Sequence, residues 1–531
     1  MASATDVAHP PTGLPGQSSS RSWLRILTIT GIIVVVVAAV GIVLCAKFWP
    51  FAEKSVVEDL KEASDSNVRI QSYHPTYFPV PGCVLYGVEF LHGKDQRSLI
   101  TIQKLRIMGS YTGVLRQYVP RIIAEGARVL IPPFGSQTIF KSQHSKIKIG
   151  EIVANGTLVE FVSSDPKAHP FTFDVHEALL SDVQWGSPIG YRLKMHNPNP
   201  PGELSVTGKF GAWTDGHPHD TPLSGEYTFE NANLAAYEGI GGVLNSKGKF
   251  EGPLKHINIS GNTDTPDFEI KSSGHKVDLR TQFNAYVDGT NGDVFLNHVD
   301  AKFGHTNVAV EGSIAHREGR GGRVTHVHLV SRDGRVEDVL GPFVTDPRSP
   351  MIGPMSLDAH AVLAAGKEPF LDKLELGGEF LVHDGRFTHW DTQQNVEKMS
   401  AGARGQSKDT PENVDTDLKG KVEMQHGIAN FSDLDFGIPG AHAKVHGTYN
   451  VENHRVGLHG KMRVETSISN TSSGIKAVIL KVMDPFFKKK HKGEVVPVHI
   501  LGTYEKPDFG LDLGQKEQKQ AEKNLVGKKS K

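Results

Sequence analysis

Residues 275–288 read HKVDLRTQFNAYVD, and their pattern decides the fold class. Val277, Leu279, Thr281, Phe283, Ala285 and Val287 alternate with Lys276, Asp278, Arg280, Gln282, Asn284 and Tyr286. Successive side chains of a β-strand point to opposite faces. The alternation therefore predicts a strand with one apolar face and one mostly polar face. Parallel strands are covered on both faces and read as continuous apolar runs, so alternation predicts antiparallel meanders. The same period returns at Val299, Ala301 and Phe303, at Ala443, Val445 and Tyr449, and at Val456, Leu458, Met462 and Val464. Asp288-Gly289, Asn291-Gly292, Asp384-Gly385 and the cluster from Asn450 to Asn453 supply the turn signals between such runs.

Working outward, the period of two starts at Asn67 and holds for most of the chain. Glycine, lysine or glutamate, and an aromatic recur as triplets at Gly208-Lys209-Phe210, Gly225-Glu226-Tyr227, Gly248-Lys249-Phe250 and Gly378-Glu379-Phe380. Gly460-Lys461-Met462 is a variant, and Pro266-Asp267-Phe268 and Pro507-Asp508-Phe509 close strand-like segments. The spacing is too irregular for a solenoid. Breaks rich in proline and glycine near 163–170, 195–203, 213–222 and 341–354 mark excursions or unit boundaries. Helical spacing is rare. A short helix is expected over 51–65, with Val56, Leu60 and Ala63 on one face, and others over 113–123 and 335–340, the last capped by Asp333. An amphipathic helix is expected over 473–490, with Ile475, Val478, Ile479, Val482, Met483 and Phe486 on one face and Lys488, Lys489 and Lys490 at its end. It reads either as a lid on the sheet or as a membrane-surface element drawn to anionic lipid.

Between Ile26 and Ala46 stand 21 residues without a charge. At 1.5 Å per residue a helix of that length crosses a hydrocarbon core of roughly 30 Å. Trp23 and Trp49 bracket the segment, Arg21 and Arg25 precede it, and Lys47, Glu53 and Lys54 follow with little net charge. The excess of positive charge before the segment predicts a single-pass anchor with residues 1–22 in the cytoplasm and the body on the far side. The competing reading is a cleaved signal peptide. Against it, the run exceeds the roughly 7–15 apolar residues of a signal core and no small-x-small site follows. Pro10, Pro11, Gly13, Pro15, Gly16 and Ser18 to Ser20 make the tail before the anchor a disordered one.

The chain of 531 residues is too long for one ordinary core, and its 38% apolar and 22% charged residues are those of a folded protein. A formal net charge of −1 excludes a global basic field for nucleic acid. Of the two cysteines, Cys45 lies in the apolar segment, so no structural disulfide with Cys83 is expected. The expected organisation is a tail over 1–22, the anchor over 23–49, β-rich regions over 50–162, 163–375 and 376–513, and a basic disordered tail over 514–531.

Three groups of short stretches stand out. The first is Ser72-Tyr73-His74-Pro75-Thr76-Tyr77-Phe78-Pro79 with Pro81-Gly82-Cys83-Val84. The second is Gly378-Glu379-Phe380, Asp384-Gly385-Arg386-Phe387-Thr388 and the stretch from Asn395 to Ser400. The third is Asp484-Pro485-Phe486-Phe487-Lys488-Lys489, Pro497-Val498-His499-Ile500, Gly502-Thr503 and Pro507-Asp508-Phe509-Gly510. They resemble, in turn, the N-terminal segment, the start of the C-terminal region and the end of the AsmA-like family, envelope proteins related to TamB and to the bridge-like lipid-transfer proteins. The resemblance covers most of residues 25–513 in layout. It implies an inner-membrane anchor, a periplasmic body built as an elongated, curved, groove-like antiparallel sheet, and a part in outer-membrane homeostasis and phospholipid movement. It carries no catalytic residues. The chain is shorter than TamB-like members, which bears on whether one copy spans the envelope.

The residues themselves offer no enzyme motif: neither G-x-S-x-G, a phosphate loop, H-E-x-x-H nor C-x-x-C is present. The pair Asp264 and Asp267 reads as turn chemistry. The histidines at His217-Pro218-His219-Asp220 and His326-Val327-His328 are the tightest clusters. His326 and His328 share one strand face, within reach of a third ligand from a neighbouring strand. Their bland reading is a solvated polar face, together with His298 and His446, and no metal or cofactor is expected. The apolar face carries the functional expectation. It is either a closed sandwich core or a lipid groove lined by Val277, Leu279, Phe283, Val287, Val445, Val456, Leu458 and Val464. The groove implies phospholipid as partner, with other envelope proteins beside it. The closed core implies a non-enzymatic periplasmic scaffold for outer-membrane protein assembly.

Overall fold

The computed structural model describes residues 53–511 apart from 65, 77–78, 93–95, 111–117, 133–147, 163–170, 185, 213–216, 317–321, 367, 405–413, 465–494 and 504–505. The expected anchor between Ile26 and Ala46, both expected tails and the expected helix over 473–490 lie outside the described residues. Among the described residues no helix is long and apolar enough to cross a membrane.

A helix, Glu53–Ser64, leads in, with Val56 and Leu60 buried in the first core. Strands β1 (Asn67–Arg69) and β2 (Ser72–Thr76) share a rank beside β3 (Gly82–His92), and β4 (Arg97–Met108) and β5 (Tyr118–Ile131) follow. Next come β6 (Lys148–Val153) and β7 (Thr157–Phe161), one interrupted rank parallel to β5 and antiparallel to β8 (Phe171–Gln184). This pairing is the exception to the expected meander, and a parallel neighbour needs a crossover such as the one between β5 and β6. Residues 118–123, expected within a helix, instead open β5. Pro120 lacks the N–H a helix interior needs, and the β-branched Val119, Ile122 and Ile123 favour a strand.

From β8 the chain is a meander in which each strand pairs antiparallel with the next rank. It runs through β9 (Ile189–Pro198), β10 (Pro201–Phe210), β11 (Pro222–Asn233), β12 (Ile240–Gly241), β13 (Val243–Pro253), β14 (Ile257–Ile270), β15 (Lys276–Asp288), β16 (Asp293–Phe303), β17 (Thr306–His316) and β18 (Arg323–Arg335). It continues through β19 (Met351–Ile352), β20 (Pro354–Leu363), β21 (Leu374–Phe387), β22 (Thr416–Gln425), β23 (Ile428–Ile438), β24 (Ala441–Asn450), β25 (Arg455–Val464), β26 (Val495–Thr503) and β27 (Lys506–Leu511). Short β12 and β19 lie in line with β13 and β20. Among the described residues the 27 strands therefore form 23 ranks of one long, curved sheet. At about 4.8 Å per rank the ladder is about 105 Å long along its contour. It passes the expected region boundaries at 162/163 and 375/376 without a break.

Bulges bend the ladder at Phe229/Ala232, Thr265/Phe268, Ser331/Gly334 and Val382/Gly385. Asp384-Gly385, expected as a hairpin turn, is thus a bulge inside β21, with Asp384 at φ 48°. The helix expected over 335–340 is Val336–Leu340, but its N-cap is Arg335, which makes no side-chain cap, and not Asp333. Because strand direction alternates, turns fall on two rims in turn. The long connections 336–353 and 388–415 leave from the same rim. The second holds a helix that the sequence reading had not singled out, Trp390–Arg404.

Opposite rims nevertheless meet. Thr345, in a connection on one rim, has its Oγ1 3.2 Å from Nε2 of His454, in a turn on the other. Gly239 likewise lies against Phe370 so closely that a Cβ there would collide with it. The sheet is therefore coiled as well as curved.

Candidate functional site

Cross-strand register shows which side chains share a face. Starting from Phe283, direct partners run through Val299, Val310, Leu329, Ala359, Gly378, Val422, Phe431, Gly447, Leu458 and Ile500 to Phe509 on the last strand. In the other direction they run through Gly261, Gly248, Tyr227, Val206 and Leu193 to Ala178. Leu105, paired with Leu85 and Ala124, continues the same face in the first ranks. Every residue of this row is apolar, aromatic or glycine. All eight residues expected to line a groove lie on this one face: Val277, Leu279, Phe283 and Val287 on β15, Val445 on β24, and Val456, Leu458 and Val464 on β25.

Burial divides the face into stretches. From β3 to β9 it is shut: Leu85, Val88, Phe90, Leu105, Ile122 and Leu193 have no exposed surface. From β11 to β18 it is mixed: Tyr227, Phe250, Leu279, Phe283, Val299, Val310 and Leu329 are half-buried, while Leu223, Ile257, Ala285 and Val308 on the same face are buried. Beyond β20 it alternates: Ala359, Val445 and Leu458 are buried, whereas Val422, Phe431, Val456 and Ile500 are half-buried. There the helix Trp390–Arg404 covers the rim end of the face, with Val396 and Ala403 packed beside Phe387, Phe436, Met462 and Val464. Gln393 fixes it by accepting from the Phe387 N–H at 3.0 Å and donating to the Val414 carbonyl at 3.0 Å, and the Ser400 hydroxyl donates to the Pro439 carbonyl at 2.8 Å.

The glycine–aromatic triplets find their reason on this face. Glycines sit opposite rings on neighbouring strands, and a Cβ added at Gly225 would lie 2.7 Å from Phe250. The equivalent distances are 2.9 Å from Gly248 to Tyr227, 3.1 Å from Gly261 to Phe283 and 3.3 Å from Gly420 to Phe380. The bare backbone leaves room for each ring to lie flat across the next strand, an arrangement that pins register.

The opposite face is a ladder of ion pairs between direct register partners: Lys104–Glu125, Glu226–Lys249, Asp264–Arg280, Glu379–Lys421 and Asp435–Lys444. Each lies in or near water, where screening and side-chain entropy leave an ion pair little net contribution to stability. A one-residue slip of any strand, however, would turn its charges onto the apolar face. Lys421, hydrogen-bonded to Glu379, holds that carboxyl below its usual range. Two groups of potential metal donors also lie among the described residues: His217, His219 and Asp220, and His328, Asp358 and His360. The second joins His328, one of the two histidines read from β18, to donors on β20. Cys83 is buried in β3, and that burial pushes its thiol up to about 12. A scan against protein-family models, a search of curated proteins and a search of solved structures each return no match to this chain.

Proposed function

We propose that this chain is an AsmA-like, non-enzymatic, membrane-anchored protein that binds or guides phospholipid along the apolar face of its sheet. The anchor is the segment between Ile26 and Ala46, and the body lies in the periplasm. One observation carries the reading: an unbroken apolar row, half-buried across the middle of the ladder, where among the described residues no second layer covers it fully. A sheet's apolar face is stable in water only when something covers it. Acyl chains are suited to this, since each buried CH₂ contributes about 0.8 kcal/mol and a continuous strip needs no head-group pocket. Head groups would remain in water at the rims, and movement would follow a gradient or be driven by partner envelope proteins. The shut stretch from β3 to β9 leaves no room for lipid and serves as the rigid base.

Site-specific photocrosslinking of the full chain in cells tests this. A photoreactive phenylalanine at Phe283, Val299 or Leu329 is expected to capture phospholipid, and one at Gln282, His298 or Lys302 on the opposite face is not. Equal capture on both faces, or none at the three apolar positions, would overturn the reading. The second of these outcomes would favour a scaffold for outer-membrane protein assembly.

A further inference from the structure

We infer that the polar face carries a Zn²⁺-class metal site made by His328, Asp358 and His360. β18 and β20 are neighbours, and register sets His328 directly opposite His360. Their rings stack with centroids 4.3 Å apart and an interplanar angle of 18°. Asp358, two residues along β20 on the same face, has Oδ1 2.7 Å from Nε2 of His328. The three donor atoms lie within 4.8 Å of one another. Two imidazoles and a carboxylate are a donor set that Zn²⁺ accepts with water in the remaining position.

The surroundings favour a cation. Register places Glu311 opposite His328 and Glu379 opposite Asp358, so carboxylates flank the group on both sides. Glu379 is engaged by Lys421 at 2.6 Å, but among the described residues no lysine or arginine bonds Asp358. Gly377 stands opposite His360 with open space where a side chain would be, which leaves that imidazole accessible. The rival group is weaker on the same test, because Lys255 already holds Asp220 at 2.6 Å. A metal here would staple β18 to β20, the two strands joined by the long connection 336–353. It would do so from outside, without touching the apolar face.

The test is zinc titration of the full-length chain in detergent after chelator treatment, read by calorimetry and by metal content after gel filtration. About one equivalent should bind, with affinity falling at least tenfold in both His328→Ala and His360→Ala and remaining unchanged in His217→Ala. All three side chains lie at the surface, so circular dichroism of the variants should match the parent. Failure of the parent to retain zinc, full retention by a His328→Ala/His360→Ala pair, or loss in His217→Ala would each overturn the inference.

Discussion

Cys83 shows how far a single position reports on the shut end of the ladder. It faces the first core beside Leu85 and Ile107, and burial alone pushes its thiol up to about 12. At pH 8 an exposed thiol is partly ionised, whereas this one would be almost wholly protonated and shielded as well. Maleimide labelling of Cys83 in the folded chain should run more than about 100-fold slower than in urea, with a Cys45→Ser background isolating its signal. Rapid labelling without denaturant would mean that β3 opens. Other residues spoke in the sequence without giving their reason. The triplets at Gly225 and Gly248 were visible as a repeat, but the ring over each glycine comes from a different strand. Only register shows that Phe250 covers Gly225 and Tyr227 covers Gly248. His328 was likewise legible as half of a pair, yet its partners, 30 and 32 positions later, depended on knowing that β20 lies beside β18.

At the scale of elements, strands were legible and helices less so. Alternation is local and strong in β15 or β25, so spacing sorts the apolar positions within each strand, and register joins them into one face. The helix Trp390–Arg404 escaped because its stripe is thin: Val396, Met399 and Ala403 are its main apolar contacts, amid polar residues that match no period. Its role as a cover predicts that Val396→Asp, which sets a charge at a position with no exposed surface, detaches it from Phe436 and Met462. Limited proteolysis should then cut within 390–404 while the strands stay protected; an unchanged digest would mean the helix is held from elsewhere. The short helix Val336–Leu340 is tied differently. Burial would raise the Glu337 carboxyl, but the Arg335 guanidinium and the Gly353 N–H at 2.9 Å outweigh it and hold the group below its usual range. A carboxyl lowered by folding contributes stability above its unfolded pKa, and loses it as pH falls through the folded value. Glu337→Gln should therefore cost about 1 kcal/mol near pH 7, and the gap should close toward pH 3. Thermal melts at both pH values measure this, and a gap that persists in acid would assign the loss to shape instead of charge.

For the molecule as a whole, the undecided point in the sequence was whether one apolar face closes on itself or stays open, since a core strand and a groove strand alternate alike. Burial along the row separates them by position. Leu105 is fully buried among apolar neighbours, whereas Leu279, on the same face, is half-buried. The same substitution should then have opposite consequences at the two places. An aspartate at Leu105 meets a low-dielectric interior with no counter-ion. A penalty of several kcal/mol is then expected, enough to unfold a marginally stable sheet. An aspartate at Leu279 keeps access to water and should leave a folded chain, but it interrupts the strip along which acyl chains would lie. Leu458→Asp, at a position 8% exposed, should resemble Leu105→Asp more than Leu279→Asp. Gel filtration and circular dichroism of the three variants, with phospholipid capture at Phe283 as the second readout, give the full comparison. If Leu279→Asp unfolds the chain as Leu105→Asp does, the middle of the ladder is as closed as its base. If it folds and Phe283 still captures lipid undiminished, the strip is not the path.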